Sequence, residues 1–452
     1  MTAQRAHDGA PLFLADPGTA LEEALVATRR DLHRHAERGW SELRTVSVIV
    51  RTLERLGWDV AYGRAVVEPG ARMGLPPAAV LAQERERALA QGADPEICAA
   101  VGEGLTGVVA RLPGSGAGPK VTLRFDIDAN NGDEAQGSEH RPARLGFASV
   151  NPGANHNCGH DGHVAIGLGL ARLLAEARDA RPPVTLVFQP AEEGGRGAES
   201  MVAAGVLDDA EVLLGCHIGV QARRNGQIVS GYDHLLASTK LDAAFEGLPA
   251  HAALAPQEGR NALQAAVVAV QGLLSIPRHG DGETYVNVAY LEAGEARSEA
   301  RNIVPAHARF RAEVRGRNDA ISEYMTGRAL AVVAGAAAMH GVEHAFDRVG
   351  RTIAASSDPA LVRLVARAAA HVAGVDEVTP TLDFRAGDDV SAMMRAVQEA
   401  GGLAAYVGVG AELAAGHHTP TFDFDEGALA RGVELLDRAL GEIASAGPGA
   451  GR

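Results

Sequence analysis

Apolar residues recur along this chain in two alternating patterns. Near the start Leu21, Leu25 and Leu32, then Val46, Val50, Leu53 and Leu56, fall at helical spacing, with Gly57 placed to end the second helix. Val121-Thr-Leu-Arg-Phe-Asp-Ile reads as a strand, His163 to Ala175 as a largely buried helix, and Val184-Thr-Leu-Val-Phe and Val212-Leu-Leu-Gly-Cys as unbroken apolar strands. Runs without polar alternation suit a sheet covered on both faces. From about Ser238 the texture changes. A strand-like run from Lys240 to Phe245 leads to a helix on Leu263, Val267, Val270 and Leu274, then to strand-like runs at Thr284 to Leu291 and Ala306 to Val314, and to a helix beginning near Asn318. After about residue 348 the first texture returns, with Tyr406-Val-Gly-Val-Gly as a strand and Leu429, Val433, Leu436 and Leu440 as the buried stripe of a closing helix. The pattern predicts an α/β chain whose mixed-sheet domain is built from residues 1–234 and 349–452, with a smaller two-layer α/β domain, 235–348, inserted. The stretch from Tyr62 to Gly104 has no clear period and reads as a helical excursion over one edge. The end, Gly447 to Arg452, reads as a frayed tail.

Length supports two domains, because 452 residues exceed what one core usually organises. A 46% hydrophobic content fits a soluble globular protein, and a formal charge of −15 disfavours nucleic acid or an anionic membrane as partner. No run approaches the roughly 18 apolar residues of a membrane helix, and the opening Met1-Thr-Ala-Gln-Arg lacks a signal-peptide core. A cytoplasmic protein is expected. Cys98, Cys158 and Cys216 show no disulfide-framework spacing, which suits a reduced compartment.

Four short segments change the picture: Cys158-Gly-His160-Asp161-Gly-His163, Gln189-Pro-Ala-Glu192-Glu193-Gly-Gly, Cys216-His217 and Gly416-His417-His418-Thr419-Pro420. Most of them adjoin a strand end or a helix start, where open α/β sheets gather binding groups. They read as one split metal site. Cys158 and His160 supply a thiolate and an imidazole, donors that zinc and its first-row neighbours accept. Glu192 and Glu193 would face opposite sides of a regular strand, and Gly194 and Gly195 let the chain turn, so one carboxylate can bind metal while its neighbour holds the attacking water. Cys158, His160, Glu193, His217 and His418 are too few to saturate two ions but suit a pair bridged by thiolate and water. Two divalent ions on this set keep residual positive charge, which an amide oxyanion needs.

The segments CGHDGH, FQPAEEGGRGA, HAALAPQEGRNAL and RNIVPAHARFRAEVRG resemble the di-metal amidohydrolase family that contains hippurate hydrolase and the indoleacetyl-amino-acid hydrolases. The likeness covers nearly the whole chain. RMGLP, EHRPARLGFAS and AAGHHTPTFDFDE further resemble the members that cleave p-aminobenzoyl-glutamate. The resemblance implies that Cys158, His160, Glu193, His217 and His418 hold two divalent ions, manganese or zinc first among them, and that Glu192 is the general base. It also implies that the inserted domain is a lid and dimerisation domain. From that domain His251 would reach a partner's site to stabilise the oxyanion, and Asn287 and Arg315 would hold the substrate carboxylate; Asp126, in the larger domain, would orient a ligand from behind. The implied partners are an N-acyl amino acid and either a second copy or a related second subunit.

Three departures bear on substrate preference. The family usually follows its second aspartate with Ala-Leu, where this chain has Ala129, Asn130 and Asn131 after Asp128; Asn155-His-Asn precedes Cys158 where Met and Ala are usual; and the loop from Arg297 to Ala300 is longer. The readings against which this one stands are a broader hippurate-type hydrolase and a catalytically silent partner subunit. His279, His340, His344 and His371 read as ordinary surface or core residues, His33 and His35 as fold-supporting, Cys216 as a small core residue, and His417 as a neighbour outside the ligand set. Gly114-Ser-Gly-Ala-Gly-Pro-Lys120 lacks the Gly-Lys-Ser/Thr ending of a phosphate loop and reads as a hairpin turn.

Overall fold

The continuous apolar runs become the centre of an eight-stranded mixed sheet. In the computed structural model, which describes residues 9–112, 118–177, 182–294 and 300–446, its spatial order is Asp59–Tyr62, Val108–Leu112, Val184–Gln189, Val121–Asp126, Val212–Ile218, Leu403–Val409, Gln227–Val229 and Glu377–Thr379. The glycine-rich turn before Lys120, the loop at Arg297 and the tail after residue 446 lie wholly or largely outside the described residues. The four strands from Val184–Gln189 to Leu403–Val409 pair in parallel, and antiparallel neighbours flank them on both sides. Their parallel run puts four carboxyl ends on one edge, the edge at which such sheets form clefts.

The helices Leu21–Arg34, His160–Glu176 and Gly427–Ala446 pack on one another in a core that includes Leu25, Leu123, Phe125, Ile166, Leu170 and Val433. Val390–Glu399 lies against the Leu403–Val409 strand. The unreadable stretch holds the helices Ala78–Ala90 and Pro95–Val101; Asp94 caps the second by accepting N–H bonds from Glu96 and Ile97. Among the described residues no helix is long and apolar enough to cross a membrane.

These elements form one unit, residues 1–233, 355–384 and 388–452, and residues 234–354 with 385–387 form a second. Within the second, Thr284–Ala293, His307–Gly316, Ala237–Glu246 and Glu343–Thr352 make an antiparallel sheet in that order. Along His307–Gly316, buried Ala308, Phe310, Ala312 and Val314 alternate with more exposed His307, Arg309 and Arg311, so one face is covered. The helices Ala262–Leu274 and Asp319–His340 cover it, packing Ala266, Ala269, Met325 and Val333 onto that face. The chain is an α/β protein with a two-layer α/β unit inserted in a larger one.

Candidate metal centre

His160 opens the helix His160–Glu176, immediately after Gly159, whose φ of 91° is the left-handed turn that brings Cys158 back toward the helix start. Its Nδ1 donates to the carbonyl oxygen of Asp128 at 2.8 Å. Because a carbonyl can only accept, the hydrogen belongs on Nδ1, and Nε2 is the atom left for a cation. That Nε2 is buried with no hydrogen-bond partner. His217 repeats the device at the end of Val212–Ile218: Nδ1 donates to the Ile218 carbonyl at 2.9 Å, and Nε2 lies 3.5 Å from the Cys158 sulfur. His163 differs. Its Nε2 accepts the Ile218 N–H at 3.0 Å and its Nδ1 meets Asp126 at 2.5 Å, so both ring nitrogens are committed.

The two glutamates sit on a loop between the strand Val184–Gln189 and the helix Ala198–Ala203. Gly194 and Gly195, at φ of 96° and 71°, reverse the chain, and Ala191 takes φ of 50° although it carries a Cβ. Three buried carboxylates hold this backbone. Glu42 accepts the Ala191 N–H at 2.8 Å; Asp128 accepts Glu192 N–H on one oxygen at 2.9 Å and Glu193 N–H on the other at 3.1 Å; Asp389 accepts Gly197 and Ala198 at 3.0 and 2.9 Å. Asn130 donates to Glu193 Oε1 at 2.6 Å. His418, at φ of 63°, is fixed by its N–H to the Asn157 carbonyl and brings Nε2 to 3.5 Å from the same Glu193 oxygen.

Ligand atoms of Cys158, His160 and His217 lie within 4.8 Å of one another, as do those of Cys158, Glu193 and His418, and those of His160, Glu192 and Glu193. Cys158, His160 and Glu193 each belong to two of these groups, so the donors form one connected cluster. Charge fits as well. Hydrogen bonds to Cys158 and Glu193 push the His418 imidazole up to about 11, and burial, with Asp388, Glu193 and Asp389 nearby, raises the Glu192 carboxyl well above its usual range. Groups that bind protons this strongly mark a place short of positive charge. Buried at Cys158, His160 and His217 and open at His418, softly and anionically liganded, with an orphaned imidazole nitrogen, the site suits divalent transition ions.

Arg124 is the buried cation behind these acids. Wholly enclosed, it donates to Asp126 at 2.6 Å, to the Gln189 side chain at 2.8 Å, and to Asp388 and Asp389 at 3.2 Å each. Tyr406 adds a 2.5 Å bond to Asp388. Sequence reasoning passed over Arg124, Asp128, Asn130, Asp388 and Asp389 as site residues. A charged residue inside an apolar strand was the available signal for Arg124; the aspartate pair, in Ala386-Gly-Asp-Asp-Val, had none. Asp126 bonds His163, not one of the five proposed ligands, and stands 3.8 Å from His160 Nε2.

His417 donates from Nε2 to the Ile218 carbonyl oxygen at 3.1 Å, and its ring packs on Phe422. His33 is buried between Asp161 and Glu134. Cys216 is buried, and burial pushes its thiol up to about 12. His251, Asn287 and Arg315 all belong to the second unit: exposed His251 Nδ1 accepts N–H bonds from Ala253 and Leu254, exposed Asn287 stands opposite Glu313, and Arg315 pairs with Glu313 at 2.8 Å.

Comparison with known proteins gives concordant matches. The model for peptidase family M20/M25/M40 matches residues 122–442. The chain is 45% identical over 412 residues to one of the named subunits of the p-aminobenzoyl-glutamate hydrolase of Escherichia coli strain K12, covering 91% of this chain and 93% of that one. It is 44% identical over 410 residues to the indole-3-acetyl-aspartic acid hydrolase of Enterobacter agglomerans, covering 90% and 93%. The crystal structure of an aminobenzoyl-glutamate utilization protein from Klebsiella pneumoniae superposes with a TM-score of 0.78 at 38% identity, covering 93% and 95%.

Proposed function

The chain belongs to peptidase family M20/M25/M40, and on that premise we propose that it hydrolyses the amide bond of an N-acyl amino acid, with p-aminobenzoyl-glutamate as the preferred substrate. The observation that carries the reading is that Cys158, His160, Glu193, His217 and His418 gather in overlapping groups, Cys158, His160 and His217 buried and His418 at the exposed rim, with Glu192 beside them. Cys158, His160, Glu193, His217 and His418 would hold two divalent ions, manganese or zinc, which would polarise the substrate carbonyl and lower the pKa of a bound water. Glu192 takes the proton of the attacking water and delivers it to the leaving nitrogen, a task for a carboxylate placed beside the ligands and not counted among them. Asp128 fixes the Nδ1-protonated form of His160 through its carbonyl and the spacing of the two glutamates through its carboxylate. The inserted unit would serve as lid and dimerisation domain, with His251 stabilising the oxyanion in a partner's site and Asn287 and Arg315 holding the substrate carboxylate.

Preference for p-aminobenzoyl-glutamate draws support from the 45% identical relative, whose name makes it one component of a larger hydrolase; assembly with a related second subunit, or with a second copy, is part of the proposal. A cytoplasmic setting suits three cysteines without disulfides. The 44% identical hydrolase of an indoleacetyl amino acid favours a broader acyl-amino-acid range as the second reading. A panel of acyl-glutamates, acyl-glycines and acyl-alanines, assayed after metal removal and after resupply of manganese or zinc, tests both. Fastest turnover on p-aminobenzoyl-glutamate, lost with chelator and regained with metal, is expected. Even rates across the panel would favour the broader enzyme, and no turnover at all would leave a non-catalytic subunit.

A further inference from the structure

The loop that carries Glu192 and Glu193 leaves the sheet at Gln189 and rejoins regular structure at Ala198, and a single side chain grips both ends. Asp389, 1% exposed, accepts the Gln189 side-chain amide at 2.9 Å and Arg124 at 3.2 Å on Oδ1, and the N–H groups of Gly197 and Ala198 at 3.0 and 2.9 Å on Oδ2. Asp389 immediately precedes the helix Val390–Glu399, yet its side chain does not cap that helix. It serves instead the start of Ala198–Ala203, where Gly197 has no side chain to do so. Closure there is tight: a Cβ on Gly197 would lie 1.7 Å from the Pro190 carbonyl oxygen.

We propose that Asp389 is a positioning residue for the base-bearing loop, closing it so that Glu192 and Glu193 are presented at a fixed spacing before substrate arrives. This rests on the reading of Glu192 as base and Glu193 as metal ligand. All four partners of Asp389 are donors, so only an ionised carboxylate, an acceptor at both oxygens, satisfies them together. An asparagine in either orientation sets an N–H against N–H groups at one grip. Glu42 and Asp128 hold the middle of the loop, but neither joins its ends. Displacement of a reacting group by about 1 Å costs on the order of 100-fold in rate, so loosening the closure acts on turnover even though Asp389 is not placed against substrate.

The test compares Asp389→Ala and Asp389→Asn with Glu192→Gln and with Leu440→Ala, a core truncation at the far helix Gly427–Ala446 that sets the effect of thermal destabilisation alone. For Asp389→Ala, kcat per folded, metal-loaded chain falls about 100-fold with KM little changed, and metal affinity by chelator competition falls roughly 10-fold or more. Asp389→Asn moves both in the same direction and serves if the alanine variant fails to fold. Leu440→Ala lowers the melting temperature and leaves kcat alone. Asp389 variants whose kcat and metal affinity match wild type while the melting temperature drops would overturn the proposal. An active Glu192→Gln overturns the base assignment beneath it, a failure read independently of the Asp389 variants.

Discussion

The side-chain amide of Asn130 donates a 2.6 Å hydrogen bond to Oε1 of Glu193. Asn130 stands where the resembling family usually has leucine, so a departure visible in the sequence lands on a residue assigned to hold metal. Groups that orient a ligand typically contribute about 10–100-fold to metal affinity. Asn130→Leu should therefore weaken metal binding in that range under chelator competition while the fold persists. Unchanged affinity would mean that the bond does not survive metal loading.

Glu192 and Glu193 share one loop but should fail differently. Glu192→Gln should abolish turnover and retain metal, because a base is lost and a ligand is not; Glu193→Gln should lower the metal content. Elemental analysis beside the activity assay separates them, and the reverse pattern would show that the two roles are exchanged.

His251 lies in the inserted unit and is predicted to act on a partner's substrate. His251→Ala should cut turnover sharply, and mixing it with Glu192→Gln should restore part of the activity through the sites that combine an intact residue of each kind. Absence of any recovery in the mixed oligomer would confine each site to one chain.

Arg29 is completely buried against Asp161 at 2.8 Å, Asp423 at 2.7 Å and Glu426 at 3.2 Å. Removing one partner from such a cluster strands the others in a poorly solvated place, at a cost of about 3–5 kcal/mol. Arg29→Met should lose stability of that order in urea unfolding. A loss below about 1 kcal/mol would indicate that the carboxylates find solvent.

Asp31 carries a pH signature. Burial alone would raise its pKa, but hydrogen bonds from His35 and Arg44 prevail and hold the carboxyl below its ordinary value. A depressed folded-state value means that the stabilisation is complete above the unfolded pKa of about 3.9 and is lost as pH falls through the folded one. Asp31→Asn should accordingly be less stable than wild type from neutral pH down to about 5, with the gap closing under more acidic conditions. Parallel stability curves through pH 3 would contradict the assignment.

Much of the architecture was legible because it rests on local pattern. Unbroken runs such as Val184 to Phe188 and Val212 to Cys216 fix strands covered on both faces, the changed texture after Ser238 marks the inserted unit, and Cys158, His160, Glu192, Glu193, His217 and His418 stand out because thiolates, imidazoles and carboxylates gather beside strand ends and helix starts. What stayed hidden was everything set by residues far apart in the chain. Asp388 and Asp389 follow no revealing pattern, yet the parallel pairing of Val121–Asp126, Val184–Gln189, Val212–Ile218 and Leu403–Val409 brings them to Arg124 and to the base-bearing loop. The segment after Tyr62 lacked a period because its helices bury only a few side chains each, such as Leu81, Glu84 and Ala88. Sequence determines which side chains can carry the chemistry, since donor type and periodicity are local; the tertiary fold decides which carboxylates orient them, since a hydrogen bond depends on distance in space and is indifferent to separation along the chain.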